Sequence, residues 1–206
     1  GWTHWTRDGR APTPENIRVD LWPDLSEYGP DERFATGLSF ADGKPAELFS
    51  SHRRETVARH FRWMREYGID GAFLQRFPVG LRHQQKRRHL DAVLTNCLAA
   101  ATSEGRGFAL MYDLSGLSGE RFADVREDWE RIDAGGRLTG SGAYLRHEGN
   151  PLVAVWGVGF SDNRPYSVAQ CAELAAFFRA QGCAVMLGVP CYWRELRRDA
   201  VNDPAL

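Results

Sequence analysis

From about residue 50 onward the apolar positions follow two alternating rhythms. Residues 52–67 place Val57, Phe61, Met64 and Tyr67 at helical spacing, and Gly68 follows where a helix should stop. Residues 69–74 then predict a short buried strand. Residues 86–102 line Leu90, Val93, Leu94, Cys97, Leu98 and Ala101 along one face of a second helix. Residues 107–112 are a continuous apolar strand, followed by a turn with Ser115, Gly116 and Gly119. A charged helix is predicted over 120–132 and a third strand over 151–156. An amphipathic helix over 168–180 carries Leu174, Phe177 and Phe178, and a fourth strand follows over 183–189.

Continuous apolar strands alternating with helices are what a parallel sheet covered by helices requires. The strands recur roughly every 30 to 45 residues, slightly long for βαβ units, which leaves room for functional βα loops. A doubly wound sheet and a (β/α)8 barrel both fit this rhythm. A barrel usually needs about 250 residues, and this chain has 206 with four clear strands, so a barrel reading makes it an incomplete one. We treat residues 1–206 as one domain. The first 50 residues are loop-like, with Pro12, Pro14, Pro23, Pro30 and Pro45 among unpatterned rings such as Trp2, Trp5, Trp22 and Tyr28. That composition predicts a long Trp-rich loop region folded over a cleft.

Composition narrows the classes. Lys plus Arg total 26 against 27 for Asp plus Glu, so no net basic field points to nucleic acid or an anionic membrane as partner. No apolar run reaches the roughly 18 residues of a transmembrane helix. The cysteines, Cys97, Cys171, Cys183 and Cys191, have neither disulfide-scaffold nor zinc spacing, and Cys97 and Cys171 read as buried thiols on apolar helix faces. The histidines show no metal-binding spacing. There is no G-x-x-x-x-G-K-[ST] loop and no G-x-S-x-G elbow, and Gly157-Val158-Gly159 lacks the third glycine of a dinucleotide fingerprint. The sequence therefore calls for no cofactor and no metal.

Ligands of parallel α/β folds meet the carboxyl ends of the strands. Here those ends carry Gln75-Arg76, Tyr112-Asp113, Trp156-Gly157 and Pro190-Cys191-Tyr192-Trp193-Arg194. Rings offer flat apolar faces to the C–H faces of sugars, while amide, guanidinium and carboxylate groups satisfy hydroxyls. A carbohydrate is the ligand this set predicts. The segment Glu127-Asp128-Trp129-Glu130 has the E-x-x-E spacing of a glycosidase carboxylate pair. It falls mid-helix between Arg126 and Arg131, where charge pairing on a wet face explains it. Asp24 and Glu27 read as loop-anchoring acceptors.

Three strings add a resemblance. They are Asp20-Leu21-Trp22-Pro23-Asp24-Leu25-Ser26-Glu27-Tyr28, His60-Phe61-Arg62-Trp63-Met64-Arg65-Glu66-Tyr67-Gly68-Ile69-Asp70-Gly71 and Pro151-Leu152-Val153-Ala154-Val155-Trp156. Their order and spacing, over about residues 1–198, resemble the glycoside hydrolase family 71/99-like proteins, relatives of the family 99 endo-α-mannosidases. The resemblance implies a (β/α)8 barrel acting on glycosidic bonds of a polysaccharide or glycan. It also implies that a first strand and the C-terminal strands of the barrel lie outside this chain, together with the catalytic Glu-x-x-Glu segment. His4-Trp5 keeps only part of the mannosidases' opening motif, so mannose specificity is not carried over.

On this reading Asp113 is the candidate catalytic carboxylate, and Trp22, Gln75, Arg76, Tyr112, Trp156, Tyr192 and Trp193 contact the sugar. Polysaccharide processing implies a secreted or periplasmic location. A second reading is a non-catalytic carbohydrate-binding protein of the same fold. A third is an unrelated doubly wound domain, with an open sheet and the first 50 residues packed as an appendage.

Overall fold

The computed structural model describes residue 2 and residues 4–205. In chain order the elements are β1 (Arg33–Ser39), β2 (Pro45–Phe49), α1 (Arg54–Glu66), β3 (Gly71–Arg76), α2 (Gln84–Glu104), β4 (Gly107–Asp113), α3 (Phe122–Ile132), β5 (Arg146–His147), β6 (Asn150–Trp156), α4 (Val168–Ala180) and β7 (Ala184–Gly188). Four strands pair in parallel, in the order β3, β4, β6, β7. The two-residue β5 forms a small antiparallel hairpin with the start of β6.

The helix boundaries follow from local chemistry. Gly68 (φ 71°) and Gly105 (φ 60°) take the left-handed conformation that ends α1 and α2. At the start of α4, the Ser167 hydroxyl accepts from the Gln170 amide N–H at 3.2 Å, and the Gln170 side chain accepts from the Ser167 N–H at 3.0 Å. This reciprocal box satisfies two amide groups that a helix start otherwise leaves bare.

The sheet has two unlike faces. Phe108, Leu110, Tyr112, Val153 and Val155 point to one side and are buried under the helices, with Leu94, Cys97, Val125, Trp129, Leu174 and Phe178. Alternation along each strand and the parallel register put Phe73, Gln75, Met111, Asp113, Trp156 and Met186 on the other side. No helix of the described residues covers that side, and Phe73, Trp156 and Met186 are 38%, 41% and 43% exposed. Continuous apolar strands had implied cover on both faces. The sheet is open at β3 and at β7, so these residues do not form the closed barrel of eight strands. What they show is a mixed α/β fold with a parallel sheet.

The first 50 residues differ from the expected loop over a cleft. They contain the β1–β2 hairpin, paired from Arg33 opposite Phe49 to Ser39 opposite Pro45. The segment docks on α1. The Tyr28 ring stacks on Phe49 and meets Trp63 edge-on, and its hydroxyl is 2.7 Å from His60 Nε2. Glu32 accepts from the Thr56 hydroxyl at 3.0 Å and pairs with Arg59 at 2.5 Å. Toward the strand ends, the His4 ring of this segment lies 5.6 Å from the Phe77 ring. Strand periodicity in 33–49 is masked by Gly37, the turn at Gly43 and Pro45.

Among the described residues no helix is long and apolar enough to cross a membrane. Cys97, Cys171 and Cys183 are buried and Cys191 is exposed. Burial pushes the Cys97 thiol up to about 12, which leaves it an inert apolar filler.

Gly71 begins β3 directly against the backbone of Gly107, and a Cβ there would collide with the Gly107 carbonyl. Gly71→Val should therefore cost about 1–3 kcal/mol of stability, read as a lower denaturant midpoint. A variant as stable as the parent would show that the two strands separate here without cost.

Candidate functional site at the carboxyl ends of the strands

The parallel register aligns one residue from each of β4, β6 and β7 at the carboxyl edge of the open face. Asp113 of β4 lies opposite Trp156 of β6, which in turn lies opposite Gly188 of β7. Gln75 of β3 joins the row through its side chain, whose Nε2 donates to Asp113 Oδ2 at 2.6 Å. Neighbouring strands are about 4.8 Å apart, so the row spans the width of a sugar ring or two.

Two features shape this row. The first is the Gln75–Asp113 pair. Asp113 is 5% exposed, and its second oxygen accepts from the Ser115 N–H at 2.8 Å. The carboxylate thus fixes which way the Gln75 amide faces. Gln75 is exposed, and among the described residues nothing donates to its carbonyl oxygen, which is left to accept from a ligand hydroxyl. Asp113, read from sequence as the catalytic carboxylate, is placed here as the group that orients Gln75.

The second feature is the seat of Trp156. A Cβ at Gly188 would collide with the indole ring, so the ring lies down across the backbone of β7 where that strand has no side chain. The ring is 41% exposed, and its edge is supported by Phe160 at 5.7 Å between centroids. The result is a planar apolar surface beside an oriented amide.

Tyr192 and Trp193 lie in the loop after β7, half-buried and each stacked with arginine. The Arg198 guanidinium is 4.3 Å from the Tyr192 centroid, and that of Arg194 is 4.5 Å from the Trp193 centroid. Asp199 holds the loop by accepting from the Cys191 and Tyr192 N–H groups at 2.9 and 3.2 Å.

Two residues expected to touch sugar do not reach this face. Arg76 and Tyr112 are 1% and 0% exposed and point to the helix side. Arg76 donates through Nε and Nη2 to both oxygens of Asp128 on α3, at 2.6 and 2.8 Å, and through Nη2 to Asp91 on α2 at 2.6 Å. The Tyr112 hydroxyl donates to Asp128 at 2.9 Å, and Arg131 reaches Asp91 and Asp128 at 2.9 and 2.8 Å. The physical reason is alternation: one position past a residue on the open face, a strand sends its side chain into the helix layer. Burial works against the Arg76 charge, but Asp128 outweighs it and lifts the guanidinium pKa above its ordinary value. Burial, with the Asp128 charge adding to it, likewise keeps the Tyr112 hydroxyl protonated.

Trp22 also lies elsewhere. Its Nε1 donates to the Glu47 carbonyl at 2.7 Å and its ring meets Phe40 edge-on, so its contacts are to the β1–β2 hairpin. Asp24 and Glu27 anchor local structure. Asp24 accepts from the Ser26 N–H, and Glu27 from Arg62 and Trp63. In the E-x-x-E segment Glu127 and Glu130 are exposed, but Asp128 is buried within the charge network and does not face water. Sequence pattern alone missed Phe160 and Gly188. Phe160 carried a weak signal as an aromatic three residues after a strand-end glycine; Gly188 carried none.

Burial raises the Asp91 carboxyl, but hydrogen bonds from Arg131 and Arg76 outweigh it and hold the pKa below the ordinary 3.8. A carboxyl depressed on folding contributes stability above its unfolded value, which is lost as pH falls through the folded one. Denaturant titrations should show stability falling in acid below pH 3.8, with a shallower fall in Asp91→Asn. Arg76→Met takes two hydrogen bonds from buried Asp128, leaving it Arg131 and the Tyr112 hydroxyl, and should cost about 3 kcal/mol, while the folded variant keeps its ligand affinity. An unfolding cost below 1 kcal/mol (about the value of an exposed pair) would contradict this placement.

No protein-family model matches the chain, and no curated protein matches its sequence significantly. Solved structures do resemble it. One is a family 99 endo-alpha-mannosidase from Bacteroides thetaiotaomicron, at 18% identity and a TM-score of 0.44, covering 72% of this chain and 41% of that one. A second structure of that enzyme, in complex with bis-tris-propane, matches at 17% identity and a TM-score of 0.41, covering 59% of this chain and 38% of that one. A glycoside hydrolase-like protein matches at 13% identity and a TM-score of 0.47, covering 82% of this chain and 50% of that one. The chain spans half or less of the length of each structure it matches.

Proposed function

We propose that this chain binds a polysaccharide or glycan at the carboxyl ends of β3, β4, β6 and β7, as the sugar-recognising part of a glycoside hydrolase-like protein. The observation that carries the reading is the Trp156 indole, laid flat over Gly188 with its outer face open, beside the Gln75–Asp113 pair. A sugar ring set down on the indole buries its C–H face. Its rim hydroxyls then meet the Gln75 carbonyl oxygen, so one surface satisfies both halves of an amphipathic ligand.

Hydrolysis asks for more than this row provides. Glycosidases flank the bond with two carboxyl groups, about 5–5.5 Å apart for retention and about 6.5–9.5 Å for inversion. The row carries one carboxylate, Asp113, which is shielded and already accepts from Gln75 and Ser115. In the enzymatic reading the acid and base come from outside the described residues. The engagement of Asp113 favours, for these residues taken alone, the second reading of a binder without turnover. Incubating the chain with a glycan panel separates the two: binding without release of reducing ends supports the binder, and release assigns catalysis to residues within the 206.

Trp156→Ala should weaken glycan binding by at least about tenfold, as loss of a central aromatic anchor does. Gly188→Val, which evicts the ring without removing it, should do the same by calorimetry. Asp113→Asn frees the Gln75 amide to turn and should also weaken binding about tenfold, with the melting temperature nearly unchanged. Full affinity in all three variants would move the sugar away from this row.

A further inference from the structure

We propose that the glycan taken at this site carries an anionic group, a carboxylate or a sulfate, and that Arg198 reads it from the loop after β7. The inference rests on the carbohydrate reading of the same site and adds the charge of the substrate to it.

Position comes first. The loop carrying Arg198 is fastened to the segment that supports the indole platform. Val201 N–H donates to the Gly159 carbonyl at 2.9 Å, and Ser161 N–H to the Asp199 carbonyl at 2.9 Å. The Ser161 hydroxyl donates to the carbonyl of Arg198 itself at 2.8 Å. Phe160 and Ala200 form an antiparallel bridge at the centre of this junction, and Phe160 is the ring in contact with Trp156. The backbone at Arg198 is therefore tied to the segment that carries Phe160, the ring against Trp156.

Arg198 is also held in a fixed attitude. Its guanidinium stacks on the Tyr192 ring and donates through Nη1 to the Tyr192 hydroxyl. Of its five N–H donors Tyr192 takes one, and the other four meet no acceptor among the described residues. The backbone at Arg198 is left-handed, with φ 57°, as it is at Leu196, with φ 50°. A non-glycine residue rarely takes this conformation without being forced.

The charges around it are already committed elsewhere. Asp199 accepts from two backbone N–H groups, Asp162 pairs with Arg164 at 2.9 Å, and Glu195 pairs with Arg197. Among the described residues no carboxylate lies within ion-pair distance of Arg198, nor of Arg194 on the neighbouring Trp193. A planar, exposed and pre-oriented guanidinium with no internal counter-charge suits a carboxylate or sulfate, which it meets through two parallel N–H bonds. In a chain whose formal net charge is -1, this local positive margin is not a consequence of overall composition.

Matched ligand pairs test the idea. Oligogalacturonate and its carboxyl-reduced counterpart form one pair, and a sulfated oligosaccharide and its desulfated form the other. Each is titrated into the parent chain, Arg198→Gln, Arg198→Lys and Trp156→Ala. In the parent, at least one acidic member should bind about tenfold tighter than its neutral match, and added salt should narrow that gap. The pair that shows the gap names the anion. Arg198→Gln should erase the gap and leave the neutral ligands' affinity and the melting temperature in place, with Arg198→Lys restoring part of it. Trp156→Ala should weaken acidic and neutral ligands alike. Equal binding within both pairs, or a gap that survives Arg198→Gln, overturns the anionic substrate and leaves the carbohydrate reading standing. Failure of the parent to bind any member overturns both.

Discussion

In a parallel sheet, residues paired across strands share a face, and the pairing here sets Asp113, Trp156 and Gly188 level at one edge, while Gln75, paired with Met111 on the same face, joins them through its side chain. The rest of the site follows from that register. Because β7 presents a glycine at this level, the indole of β6 can lie down instead of standing up. Because β4 presents a carboxylate next to it, the amide on β3 is turned to a set direction. A slip of one residue in either pairing would send these groups into the helix layer and bring their neighbours out.

Those neighbours show what the other face demands. Arg76 and Tyr112 adjoin Gln75 and Asp113 in sequence, yet they end beneath the sheet with Asp128, Asp91 and Arg131. A buried arginine is tolerated there because two aspartates accept from it, and the Tyr112 hydroxyl donates to one of them, Asp128. Breaking such a pair costs more than the pair contributes relative to apolar residues. The network clamps β3 and β4 to α2 and α3 just below the platform, so the row above it rests on a rigid base. The Tyr28, Glu32 and Arg59 contacts anchor the N-terminal segment to α1 in a similar way, through side chains that sequence spacing alone does not connect.

Much of the fold was legible because it rests on local pattern. The four parallel strands and the four helices fall where apolar periodicity put them, and Gly68 marks the end of α1 as capping chemistry requires. Continuous apolar strands, however, look the same from both sides, so the pattern could not say which face the helices cover. For that reason Arg76 and Tyr112 were read into the site together with Gln75 and Asp113, although alternation allows only one of each adjacent pair. Asp128 was hidden in a mixed-charge run whose other members do face water. Gly188 acts by having no side chain beneath a ring on another strand, and Phe160 acts through a contact made across the fold. The β1–β2 hairpin, broken by glycine and proline, left too little alternation to be read.

Sugar recognition at this edge stands on the Trp156 platform. The most direct measurement is a glycan titration of the protein followed by nuclear magnetic resonance, reading the side-chain signals of Trp156 and Gln75 against those of Trp129, which is 2% exposed in the core. A sugar seated on the platform predicts saturable shifts at Trp156 and Gln75 with Trp129 unmoved. Saturable binding that leaves Trp156 unshifted would contradict it.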